Sequence, residues 1–235
     1  MNKITRTVFF LLLPVVVSAC PSIVSAQDHM YRNAIHYSAG AAVPYDEFAA
    51  SSFTYRAGFA RTGVTLDGGV IHYGRRKILG VYADATYAFL PFNEKRYLAE
   101  YNRIFEDVGI MSVSTEGYHY LRAEVGLLIR TIAILDTRII LQAGVGYTLF
   151  RHPCLSAINT YWGIVNTVNS DLDFQLSGSA GIRLEHALNE STGIYLSYQW
   201  FASKPDFRDT ESYRDHHYYV PVRTQQINIG ITRYF

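Results

Sequence analysis

Cysteine is almost absent from this 235-residue chain, with Cys20 and Cys154 the only two. Cys20 lies in a stretch that reads as an export leader. Once the leader is removed a single thiol remains, which excludes an intrachain disulfide. Cys154 is read as a buried or loop-tip residue rather than a nucleophile. Charge is also scarce, at 17% of residues with a formal net charge of +1. Removing Lys3 and Arg6 with the leader takes that to −1. So neutral a chain gives no electrostatic reason to expect nucleic acid as a partner. Beyond the leader no apolar run approaches the roughly 20 residues of a membrane-spanning helix, so a helical membrane protein is excluded too.

The amino-terminal stretch has its own logic. Lys3 and Arg6 precede an apolar run from Val8 to Ala19, too short to span a bilayer and the right length for a secretory signal. Val24-Ser25-Ala26 supplies small residues for cleavage. The expected division is therefore a signal peptide over 1–26 and one mature domain over 27–235. A second reading stays open: Val17-Ser18-Ala19-Cys20 resembles a lipobox, with Cys20 lipidated. Cleavage after Ala26 is preferred because a barrel anchored by its strands needs no acyl chains.

What the chain has instead is alternation. Eight segments each show a period of two, the signature of a strand. They are Asn33–Val43, Gly63–Tyr73, Ile78–Phe89, Tyr118–Arg130, Arg138–Phe150, Asp173–His186, Thr192–Ala202 and Val222–Phe235. Each is about the ~9–11 residues a tilted strand needs to cross a bilayer. In the fourth, Leu121, Ala123, Val125, Leu127 and Ile129 oppose Tyr120, Arg122, Glu124, Gly126 and Arg130. In the sixth, Leu176, Ala180, Ile182 and Leu184 oppose Gln175, Ser177, Ser179, Arg183 and Glu185. The apolar faces run the full strand length, with Tyr87, Phe89, Tyr147, Tyr198 and Trp200 gathered near one end like an interfacial aromatic girdle. Connections alternate between short (74–77, 131–137, 187–191) and long (44–62, 90–117, 151–172, 203–221). That asymmetry, the even strand count and a mean hydropathy of +0.02 fit an all-β, eight-stranded, antiparallel up-and-down transmembrane β-barrel.

The last nine residues, Ile227 to Phe235, put Ile227, Ile229, Ile231 and Phe235 on one face. This end resembles the closing strand of bacterial outer-membrane barrels, where the terminal strand with its final Phe is what the barrel assembly machinery recognises. The resemblance implies that machinery as a partner and Ile227, Ile229, Ile231 and Phe235 as the assembly signal. The whole pattern resembles small barrels of the OmpA/OmpX kind and, more loosely, porin-like barrel proteins of Bacteroidetes. Gly58-Phe59-Ala60-Arg61-Thr62-Gly63 and Leu90-Pro91-Phe92-Asn93 stand where those proteins carry similar loop-to-strand phrases.

With the apolar faces toward outer-membrane lipid, Asp67, Asp84, Arg122, Glu124, Arg130, Arg183 and Glu185 point inward, together with His36. An eight-stranded barrel is only wide enough for side chains to fill. These charges of mixed sign are therefore expected to pair with one another and with amides as a lumen plug. Residues 94–108 carry apolar positions at helical spacing, Tyr97, Tyr101, Ile104, Phe105 and Val108, for an amphipathic helix at the surface or over the barrel. In the fourth long loop, His216 and His217 are adjacent on an extended segment and face opposite sides, so no metal site is assigned there.

The expected role is a non-enzymatic outer-membrane protein, structural or acting through its loops on an extracellular partner, with no cofactor. The alternatives are a narrow channel for small solutes or ions and a lipid acyl hydrolase or transferase. The last would need a serine, a histidine and an acid to converge. His36 with Ser38, and His119 near Ser112, Ser114 and Glu116, are the candidates.

Overall fold

Alternating β-branched, aromatic and small residues favour extended backbone with two unlike faces. In the computed structural model they form eight wall strands: β1 (Asn33–Pro44), β2 (Gly63–Tyr73), β3 (Leu79–Leu90), β4 (Tyr118–Arg130), β5 (Thr137–Arg151), β6 (Leu172–Asn189), β7 (Thr192–Ser203) and β8 (Val222–Tyr234). The structure describes residues 32–51, 57–104, 110–131, 134, 136–153, 155–159, 163–168, 172–209 and 216–235. Each strand pairs antiparallel with its neighbour in sequence, and β8 returns to β1, with Ala34 opposite Tyr234 and Pro44 opposite Thr224. Closure leaves no unpaired edge, which is what lets strands cross hydrocarbon. Residues 1–26, expected to be a leader cleaved after Ala26, lie outside the described residues together with Cys20, and so do Cys154, Phe105 and Val108.

The strand bounds follow the sequence reading closely, and the clearest difference is at the β6–β7 hairpin. Ala187 pairs with Gly193 and Asn189 with Thr192, across a register shift between Thr192 and Gly193. The turn therefore shrinks to Glu190 and Ser191. The Asn189 side-chain oxygen holds it by accepting from the Ser191 backbone N–H at 3.0 Å and its hydroxyl at 3.1 Å.

Polarity is inverted relative to a water-soluble barrel. Ile229 is 71% exposed, Leu127 66% and Leu176 63%, whereas Arg122 is 0%, Glu185 1% and Glu124 3% exposed. An apolar band encircling the wall is stable against lipid and not against water. The chain is accordingly an outer-membrane β-barrel. Tyr87, Tyr147 and Trp200 face outward toward the long-loop end, Tyr147 stacked on Phe174 at 4.9 Å and Tyr198 set edge-on to Trp200 at 4.6 Å.

The long loops carry secondary structure that alternation within single segments does not reveal. Helix α1 (Glu94–Ile104) forms where the helical spacing placed it. Ile110–Thr115, Leu155–Asn159 and Gly163–Val168 make a three-stranded sheet that joins the second long loop to the third. Asp206–Asp209 pairs with His216–Tyr219 in a two-stranded ribbon.

Candidate functional site

The interior is packed in three layers. Toward the short-turn end, Ala34, Ile71, Tyr73, Tyr82, Leu128, Ile140 and Tyr234 form an apolar cluster. Arg130 lies between two of its rings, 4.9 Å from the Tyr73 centroid and 5.4 Å from that of Tyr234. A guanidinium on aromatic faces keeps a favourable electrostatic partner without water. Glu185 accepts from the Thr232 hydroxyl at 3.0 Å and from the Tyr234 hydroxyl. Arg138, inward and buried on β5, joins this layer, although the sequence reading had not singled it out.

The middle layer holds most of the charge. The Arg122 Nε stands 3.5 Å from Glu124 Oε2. Its Nη2 donates to the Thr86 hydroxyl at 2.9 Å and to Gln199 Oε1 at 3.1 Å. Glu124 Oε1 in turn accepts from the Tyr82 hydroxyl at 3.0 Å, Ser179 at 2.9 Å and Gln199 Nε2 at 3.2 Å. Tyr82 reaches that carboxylate by lying against the wall over two glycines. A Cβ added at Gly126 would sit 2.5 Å from the Tyr82 ring, and one at Gly144 would sit 2.4 Å from its hydroxyl.

The network continues around the lumen. Thr86, having accepted from Arg122, donates to Asp67 Oδ2 at 3.0 Å, and Ser38 donates to Asp67 Oδ1 at 3.2 Å. His36 Nε2 stands 3.5 Å from Asp67 Oδ1 and 3.2 Å from Asp84 Oδ1. Arg183 rests on the ring of Tyr195 at 4.2 Å rather than in a close pair with Glu185 or Asp84. All seven charged residues singled out from the sequence are therefore placed inside the wall. What spacing could not show is how the neutral groups Thr86, Tyr82, Ser179 and Gln199 tie Asp67, Arg122 and Glu124 together.

The upper layer was not anticipated. Phe48, Phe59, Phe92, Tyr118, Tyr120, Phe150, Phe201, Val220 and Val222 form a second apolar cluster at the long-loop end, with Tyr97, Leu98 and Tyr101 of α1 packed against it. Tyr120 stacks on Phe201 at 5.1 Å, and its hydroxyl accepts from Gln226 Nε2 at 2.7 Å. The two loop-to-strand phrases meet here. Arg61 N–H donates to the Pro91 carbonyl at 2.8 Å, Asn93 N–H to the Phe59 carbonyl at 2.8 Å, and Phe59 and Phe92 pack at 5.7 Å. Burial also pushes the Tyr97 hydroxyl up to about 12, with the neighbouring Tyr101 adding to the shift.

Neither candidate hydrolytic set comes together. Ser38 bonds to Asp67 and not to His36, so the acid rather than a base holds the hydroxyl. His119 Nδ1 pairs with the Tyr87 hydroxyl at 2.7 Å, and Glu116 with Arg151 at 3.0 Å.

The Ile227, Ile229 and Ile231 side chains on β8 and that of Phe235 just past its end are between 46% and 71% exposed. No family model and no curated protein matches the sequence. Among solved structures the chain is similar to Neisserial surface protein A (12% identity, 86% of this chain and 97% of that one, TM-score 0.49). It is also similar to a major outer membrane protein from Thermus thermophilus (11%, 86% and 98%, 0.48). A third is the outer membrane protein AlkL (13%, 92% and 94%, 0.48). At such identities the assignment as a small outer-membrane barrel rests on this chain's own register and inverted polarity.

Proposed function

We propose that the protein is a non-enzymatic outer-membrane barrel of the OmpA/OmpX kind, whose filled lumen holds a rigid rim for loops that meet an extracellular partner. The observation that carries this reading is the closure of the interior by an aromatic layer at each end of a hydrogen-bonded charge layer. A solute path would have to displace Tyr120, Phe150 and Phe201 as well as Arg122. The separation of serine from histidine speaks against acyl-transfer chemistry. On this reading the assembly machinery recognises the outward Ile227, Ile229, Ile231 and Phe235 row.

The long loops then face outside. A protease site inserted near Asn102, Asn159 or Asp209 should be cut on intact cells, while one near Arg76 or Asn189 should be protected. Access at the turns with protection at the loops would invert the orientation. Purified protein should release no fatty acid from lipid A or phospholipid, and turnover would restore the hydrolase alternative. Export by signal peptidase I predicts a mature mass starting at Gln27. Palmitate incorporation lost in Cys20→Ala would instead make the chain a lipoprotein.

A further inference from the structure

We propose that His36, Asp67 and Asp84 form a three-ligand site for a divalent transition-metal ion, with zinc as the reference ion, on the lumen wall. The three residues come from β1, β2 and β3, and register brings them together: Gly69 is paired with His36 on one side and with Asp84 on the other. A Cβ at Gly69 would fall 2.1 Å from Asp84 Oδ1, so the glycine leaves the room that Asp84 uses to reach His36. One donor atom from each residue lies within 4.8 Å of the other two.

The distances favour an ion over a hydrogen bond. Charge-assisted N–H···O bonds are usually ~2.7–2.9 Å. Here the contacts from Nε2 are 3.2 and 3.5 Å, and neither has hydrogen-bond geometry. Two ligands ~2.0–2.1 Å from a tetrahedral zinc are ~3.3 Å apart. His36 is fully buried, and among the described residues neither ring nitrogen has a hydrogen-bond partner. A protonated ring would pair its Nε2–H with the two carboxylates but leave Nδ1–H buried without a partner, whereas a neutral ring with its Nε2 lone pair turned to those carboxylates needs a cation between them. One imidazole with two carboxylates suits zinc and its neighbours better than calcium or magnesium, which prefer all-oxygen sets. Asp67 is already oriented from outside by Ser38 and Thr86, as ligating carboxylates usually are. Among the described residues neither Arg122 nor Arg183 closes an ion pair on Asp67 or Asp84. Arg122 is committed to Glu124, Thr86 and Gln199, and Arg183 lies on Tyr195.

The test uses full-length protein refolded in detergent, treated with chelator and titrated with Co²⁺. One equivalent should give visible d–d bands that Zn²⁺ competes away. Ser38→Ala should weaken binding by ~10-fold, the scale of an outer-shell loss, and His36→Gln or Asp84→Asn by more than ~100-fold. In the wild type, Zn²⁺ should shift the imidazole ¹⁵N resonance of His36 Nε2, a readout that stands even if the variants do not fold. Absence of the bands, binding that survives His36→Gln, or a His36 ring doubly protonated and indifferent to Zn²⁺ would each overturn the site.

Discussion

Arg122 shows what inverted polarity demands of a single side chain. It has no exposure, so its charge must be met from within the wall by Glu124, Thr86, Gln199 and the face of Phe201 at 5.1 Å. Truncation leaves Glu124 buried without its cation, a loss typically of ~3–5 kcal/mol and smaller where water enters the lumen. Arg122→Ala should therefore lower the temperature at which unheated protein loses its folded position on a dodecyl sulfate gel. Leu141→Ala is the control. In a protein core such a truncation leaves a cavity, but on the lipid face acyl chains occupy the vacated space, so its effect should be smaller. If Arg122→Ala melts with the wild type, the layer does not support the fold.

At the scale of elements, the wall was legible and the rim was not. Leu121 to Ile129 alternate with Tyr120 to Arg130 so regularly that side and span follow from period alone, and the exposures match that division. The Phe59 and Phe92 phrases were visible as separate stretches, but their pairing depends on two loops folding toward each other. The sheet shared by 110–115 and 155–168 depends likewise on contacts between loops. His36, Asp67 and Asp84 lie on three strands, so only register could unite them. Helix α1 makes a test of the rim. Tyr97 is raised toward 12 because burial disfavours its phenolate, so the unfolded or undocked segment loses its proton first, near 10. Docking is thus fully supported below pH 10 and weakens as pH rises from 10 toward 12. The tyrosinate absorbance of wild type minus that of Tyr97→Phe should rise near pH 12. A midpoint at the ordinary value near 10 would mean that α1 does not bury this ring.

At the scale of the whole molecule, eight strands set a diameter that side chains can fill, and this chain fills it with aromatic, charged and again aromatic layers. On the proposed reading, the same closure that satisfies the backbone in lipid leaves contact with other molecules to the loops. Single-channel recording of the refolded protein in planar bilayers tests that closure most directly. The filled lumen predicts a flat baseline for the wild type and discrete current steps only when Phe150, Phe201 and Arg122 are truncated together. Regular steps from the wild type, unchanged by those truncations, would contradict it and make the protein a channel.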